Sequence, residues 1–264
     1  MRKLQLVLVA AAASALTALA TVAGFAEAQS AVPPSNTENP SVVGTAQDGQ
    51  LLIAKDGEWA GTNPMTFAYQ WQRCNTAGAC GDIANATAKW YRVATADVAS
   101  RLRVRVVARN SDGSVGEATA QTAVVVPPAG AMRLQDGRTS IPASSVNMPD
   151  RLVLSGLQFT PTVLRSRAPF TGRFRVTDTR GYVVRDAIVL VTGVPLGWIS
   201  PTQEVTTNVD GYATIQLQPT TRLRLVRGGS MVMFVRARKQ GDDLLAGIST
   251  RRLVRVRTAA PASS

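Results

Sequence analysis

Three sets of residues have types and spacings that bear on chemistry: arginines at alternate positions, two nearby cysteines, and scattered carboxylates. The alternating arginines are Arg173 with Arg175, Arg236 with Arg238, and Arg255 with Arg257. On a strand, side chains two apart point to the same face. If those strands share a sheet, the six guanidinium groups line its outer surface. A planar guanidinium pairs bidentately with oxyanions, so such a surface would hold phosphate or carboxylate polymers. For an exported chain the candidates are anionic wall polymer, acidic lipid headgroups, acidic polysaccharide or extracellular DNA. The alternative is that arginine merely solvates each strand and blocks edge pairing. Of the 29 basic residues 25 are Arg, which points to coding composition and favours that alternative. No aromatics interleave with these arginines, so stacking on single-stranded nucleic acid, and specific nucleic-acid recognition with it, is not expected.

The rest of the inventory excludes more than it offers. The chain has no histidine, which removes Ser-His-Asp and Cys-His nucleophiles, His-containing zinc sites and imidazole acid–base catalysis. Asp242 and Asp243 follow Gly241, and Asp210 precedes Gly211, both turn-forming contexts. No D-x-D-x-D cluster is present for calcium, and no Gly-rich loop to cradle phosphate. No cofactor, metal or catalysis is expected. A secreted hydrolase using two carboxylates about 5–10 Å apart is the alternative from another class, and it needs a pairing that sequence does not show. Trp59, Trp90, Tyr91 and Trp198 lie outside the clearest strands. They are either core plugs or a platform for sugar.

Cys74 and Cys80 bracket a turn-like stretch from Asn75 to Ala79. Their redox state depends on the compartment, and the N-terminus speaks to that. Arg2 and Lys3 precede an apolar run from Leu4 to about Phe25, and Ala26-Glu27-Ala28 supplies an A-x-A site. This is the three-part pattern of a secretory signal peptide over residues 1–28. An uncleaved anchor is the alternative, because the run is close to the ~20 residues of a membrane span. No second apolar run of that length follows, so no transmembrane span is expected in the mature chain. A secreted or cell-surface protein results, released or held non-covalently. In an oxidising compartment the expected pairing is a local Cys74–Cys80 disulfide, worth roughly 2–2.5 kcal/mol by the chain-entropy relation. A free thiol pair is the alternative.

Composition punctuates the remainder. Residues 29–40 are rich in Pro, Ser and Asn and read as a disordered lead-in. Pro127-Pro128 opens a polar stretch to 149 that reads as a linker, and 259–264 reads as a disordered tail. Between them lie residues 41–126 and 150–258. Both carry period-2 patterning, as in Phe67-Ala-Tyr69-Gln-Trp71, Leu102-Arg-Val104-Arg-Val106, Arg173-Phe-Arg175-Val and Val254-Arg-Val256-Arg. Turn signals such as Asp56-Gly57, Asp112-Gly113, Asp210-Gly211 and Gly228-Gly229 break the runs. The fold class is all-β, two tandem Ig-like β-sandwiches. Charge divides between them unevenly. Residues 29–149 hold 10 basic and 9 acidic side chains, while residues 150–264 hold 17 and 7.

The first segment resembles the Ig-like repeats of exported actinobacterial proteins. The likeness lies in Val43-Gly44, Gly49-Gln50-Leu51, Trp59-Ala-Gly-Thr62, Tyr69-Gln-Trp71-Gln-Arg-Cys74, Ile83-Ala-Asn85-Ala-Thr87, Ala96-Asp-Val98 and Leu102-Arg-Val104, in that order. The resemblance implies a core Trp at Trp71 and a cysteine pair closing the next loop. It also puts Ile53 and Val104 at the inter-sheet positions, where no bridge is available. Asn85-Ala-Thr87 fits a glycosylation sequon, a chance match in a bacterial chain. The second segment resembles transthyretin-like or carboxypeptidase-regulatory-like sandwiches through Asp178-Thr-Arg-Gly181, Asp186-Ala-Ile-Val189 and Thr207-Asn-Val-Asp-Gly-Tyr-Ala213. The Lys–Asn crosslink of related adhesin domains is not expected. The segment's only lysine is Lys239, and no Asn lies between Leu244 and Arg257. Both families serve as binding or spacer modules, which sets the functional expectation. The chain is a non-catalytic exported component, with an anionic envelope polymer or another extracellular protein as its partner.

Overall fold

The computed structural model describes residues 31–242 and 247–260, in strands and two short 3-10 turns with no α-helix among them. The signal segment, Asp243 and most of the tail at 259–264 lie outside the described residues. No helix among the described residues is long and apolar enough to cross a membrane.

The N-terminal unit contains Ser35–Glu38 (β1), Ser41–Val43 (β2), Leu51–Lys55 (β3), Glu58–Ala60 (β4), Thr66–Cys74 (β5), Cys80–Asp82 (β6), Trp90–Arg92 (β7), Arg101–Asn110 (β8) and Gly113–Ala118 (β9). A sheet ordered β6-β5-β8-β9 packs against β2-β3-β7, and β1 pairs with β4. The alternation in β8 does what its period demands. Leu102, Val104, Val106 and Ala108 are buried, while Arg101 and Arg105 face water. Opposite them on β5, Trp71 is fully buried, stacks on Tyr91 at 5.5 Å, and donates its indole N–H to Ala88 O at 3.0 Å. That bond satisfies the one polar group of an otherwise apolar side chain. From β3 it is Leu52 and Ala54 that enter the core. Ile53, expected at an inter-sheet position, sits one residue out of phase and is 40% exposed.

The C-terminal unit contains Met132–Arg133 (β10), Thr139–Pro142 (β11), Leu152–Thr160 (β12), Val163–Leu164 (β13), Phe170–Asp178 (β14), Val183–Arg185 (β15), Ile188–Val194 (β16), Val205–Thr206 (β17), Tyr212–Leu217 (β18), Ser230–Arg238 (β19) and Thr250–Thr258 (β20). One sheet runs β10-β11-β15-β14-β12 with β18 also paired to β14, and the other runs β13-β20-β19-β16-β17. Between them lie Phe170, Phe174, Val176, Met231, Met233 and Val235. The Asp210-Gly211 turn holds because Gly211 sits at φ +75°, where an added Cβ would lie 2.7 Å from Val176 O. Asn208 Oδ1 accepts from the Asp210 and Tyr212 N–H groups and fixes the same turn.

The stretch expected as a disordered lead-in and the one expected as a linker both carry strands. Within 29–40, β1 pairs with β4, and Asn110 Nδ2 donates to Val32 O at 2.8 Å. Within 127–149, β11 runs parallel to β15, and Ile141 and Val146 are fully buried in the second core. A few well-placed apolar side chains outweigh a polar composition, because strand formation needs alternate contacts rather than a high apolar fraction.

The Cys74–Cys80 disulfide is present and joins directly opposed residues at the end of the β5–β6 hairpin. Asn75 Oδ1 also accepts from Ala77 and Ala79 N–H, so the loop is closed twice. In denaturant melts, Trp71→Ala is expected to cost about 3–5 kcal/mol. The paired substitution Cys74→Ser with Cys80→Ser should cost less, about 2 kcal/mol. The reverse order would place the principal constraint in the hairpin.

Candidate functional site

The most buried ionic cluster lies where the two sandwiches meet. From the N-terminal unit come Asp48 and Gly49 in the β2–β3 turn, Arg92 at the end of β7, and Thr95. From the C-terminal unit come Asp150, just before β12, and Asp178, Arg180 and Tyr182 around the β14–β15 turn. Arg180 Nε is 2.8 Å from Asp178 Oδ2 and 3.3 Å from Asp150 Oδ2, and its Nη1 is 3.7 Å from Asp48 Oδ1. Arg92 reaches across in the other direction to Asp150 Oδ2 at 2.8 Å. The Tyr182 hydroxyl donates to Asp48 Oδ2 at 2.7 Å, and Thr95 Oγ1 donates to the same oxygen at 2.8 Å. Gly49 makes room for the guanidinium: at φ +87°, a Cβ there would sit 2.9 Å from Arg180 Nη1.

Burial and pairing act in opposite directions within the cluster. Burial works against charge on Arg180, but the hydrogen bond to Asp178 and the charges of Asp178, Asp150 and Asp48 outweigh it and raise its pKa. Burial pushes the Asp178 carboxyl up, opposed by Arg180 and by N–H donation from Arg180 and Tyr182. Burial, then the bond to Asp48, raises the Tyr182 phenol, which stays protonated as a donor. Asp178-Thr-Arg-Gly181 and Gly49 stood in the sequence only as parts of two separate resemblances. The signal that could have linked them is an Asp-x-Arg turn in one unit and an Asp-Gly turn in the other.

The six alternating arginines do not share one face. Arg173 and Arg175 lie on β14 in one sheet, and the other four lie on β19 and β20 in the opposite sheet. Pairing follows topology, and β14 takes β12 and β18 as neighbours. The three pairs also differ in state. Arg173 and Arg175 flank Tyr212, with guanidinium carbons 3.8 and 5.7 Å from its ring centre. Arg236 and Arg238 are held by Glu204, at 3.3 and 2.6 Å, and the hydrogen bond from Arg238 is the main cause of that carboxyl's lowered pKa. Arg255 and Arg257 are exposed and make no ion pair among the described residues, as does Arg251, which lies directly opposite Arg236.

The other candidates separate by exposure. Trp59 and Trp198 pack against the two cores, and Tyr91 stacks on Trp71, so all three are structural. Trp90 is 57% exposed, beside a shallow recess lined by Asn85 and Ala88. Asp242 accepts the Ile248 N–H in a loop closure, in keeping with a turn role. Lys239, for which no crosslink to an Asn of the terminal strand is expected, donates a hydrogen bond to Asn147 Oδ1 at 3.1 Å and another to Val146 O. That Asn comes from the segment before β12, not from the terminal strand. Among the described residues no group of three or more His, Cys, Asp or Glu could hold a metal ion.

Arg180→Met should cost about 3–5 kcal/mol, because it leaves buried Asp178 and Asp48 without a cationic partner. The exposed Arg227→Met should stay within about 0.5 kcal/mol. Thermal melts of both variants check this, with the Arg180 variant expected to split into two transitions as the sandwiches uncouple.

No family model and no curated protein matches the chain. Solved structures align along most of its length at low scores. The D00-D0 domain of Intimin is 13% identical, covering 81% of this chain and 98% of its own, with a TM-score of 0.31. The D0-D1 domain of Intimin is 14% identical, covering 83% and 98%, with a TM-score of 0.27. A β-glucuronidase of Parabacteroides merdae is 9% identical, covering 85% of this chain and 25% of its own, with a TM-score of 0.24. Likenesses this distant carry no argument about ligand or activity, and the all-β sandwich class rests on the strands themselves.

Proposed function

We propose that the chain is a non-catalytic exported binding or spacer unit whose two sandwiches act as one stiff body. The observation that carries this reading is the ionic joint. A flexible tandem needs no buried contact between its units, whereas here Arg180 and Arg92 each cross the boundary to an acid of the other unit. A rigid pair suits holding a binding surface at a fixed distance and angle from an anchoring point. The disulfide supports an oxidising compartment outside the cytosol.

A second reading has its own observation. Among the described residues Arg251, Arg255 and Arg257 stand without an ion pair on one face, which suits docking to an anionic envelope polymer. Glu204 neutralises part of that face by holding Arg236 and Arg238. Its pKa is lowered, so the clamp is complete above the ordinary carboxylate range and is lost as pH falls through the lowered value.

Small-angle scattering tests the first reading. The wild type should fit a single rigid envelope, and Arg180→Met with Arg92→Met should broaden the distance distribution. An unchanged profile would sink the spacer reading. Retention on immobilised anionic polymer tests the second. It should fall between about 0.05 and 0.5 M salt as the screening length shortens, and Glu204→Gln should shift elution to higher salt by freeing two guanidinium groups. Salt-insensitive retention would exclude the arginine face.

A further inference from the structure

The side of the C-terminal sandwich is open between its two sheets. On one lip, β12 ends its sheet, pairing among the described residues only with β14. On the other, β20 has β19 along one edge, but its second edge meets β13 only at Arg257 and Thr258. Among the described residues no strand covers that second edge from Thr250 to Val256. The seam is closed at both ends. Leu152 N–H donates to Ile248 O and Arg252 Nη1 donates to Leu154 O at one end, and β13 fills the other. Between them is a groove of about 280 Å³. Leu157, Phe159, Val254 and Val256 form its apolar side, and Arg255 and Arg257 its charged rim.

We infer that this seam takes an extended peptide segment of a partner protein, with acidic and apolar side chains alternating, added as a strand to the free edge of β20. A strand laid there continues the pleat of β20. Side chains level with Val254 and Val256 turn inward to the apolar wall. Those level with Leu253, Arg255 and Arg257 turn outward, and Leu253, at 69% exposure, already leaves that face partly apolar. Outward residues stand beside Arg255 and diagonal to Arg257, close enough for cross-strand pairing, so carboxylates are favoured and ammonium groups repelled. Among the described residues no carboxylate lines the groove.

The same arginines decide against the nearest competing occupant. A second copy of β20 in antiparallel pairing would set arginine against arginine, so the seam resists self-association while remaining open to an acidic strand. A free polyanion would satisfy the guanidinium groups but neither the backbone edge nor the apolar wall, so a peptide fits more of what the seam presents. The inference extends the binding half of the function proposed above, and its failure would leave the spacer half, read by scattering, untouched.

The test uses the whole chain with labelled heptapeptides of alternating Val and Asp, and their Val–Lys counterparts, in fluorescence anisotropy. The Val–Asp peptide should bind saturably and at least about tenfold more tightly than Val–Lys. N-methylation at alternate residues leaves charge unchanged but removes N–H donors from one edge of the peptide. Methylating one phase should abolish binding, while the other phase, which faces solvent, retains it. Arg255→Glu with Arg257→Glu should reverse the preference toward Val–Lys, and that gain also shows that the variant is folded. Equal tolerance of both methylation phases, or a double variant with unreversed preference, would overturn strand addition. So would polyphosphate displacing the peptide at equal charge while binding more tightly, which would identify the seam as a polyanion site instead.

Discussion

One guanidinium, that of Arg180, holds the architecture in its present form. It sits among Asp178 and Asp150 of its own unit and Asp48 of the other, with Gly49 leaving the space it occupies. Charges taken out of water cost several kcal/mol unless they find partners of good geometry. Here the partners come from both units, so the ionic cluster is complete only when the sandwiches are docked. That reciprocity makes the joint specific, because sliding one unit against the other would strand charge on both sides. Tyr182 and Thr95 reinforce it by donating to the same oxygen of Asp48.

With the joint fixed, the remaining charge acquires a geography. The surplus of basic residues belongs to the C-terminal unit, but most of its arginines are already engaged. Arg180 builds the joint, Arg173 stacks on Tyr212, and Arg236 and Arg238 share Glu204. What is left for a partner includes Arg251, Arg255 and Arg257 on β20, whose second edge is also largely unpaired, while Arg165, Arg222, Arg224 and Arg227 stand exposed in loops. Net charge therefore overstates the available positive surface, and its placement on an open strand edge matters more than its sum.

The all-β class, the core role of Trp71, the hairpin disulfide and the inward or outward parity of each arginine pair were legible in the sequence. The class, the disulfide and the parities follow from local rules of period two and short loop closure, while the core role of Trp71 was what the family resemblance implied. Ile53 was misplaced by one residue because β3 carries apolar side chains in both phases, so period alone does not choose the buried one. The segments at 29–40 and 127–149 were read as a disordered lead-in and a linker because their strands are short and their composition polar. They are held by partners distant in sequence, β4 and β15.

The sequence by itself determined which residues alternate, where the chain turns, and which chemistries its missing histidine forbids. Only the tertiary structure decided that Arg173 and Arg175 stand in a different sheet from Arg236, Arg238, Arg255 and Arg257. It also decided that Asp48 and Arg180, 132 positions apart, meet in a buried joint. The reason is physical. Strand parity is set within a few residues by the pleat of the backbone, whereas strand order and unit docking are set by long-range burial and charge pairing, which no local pattern encodes.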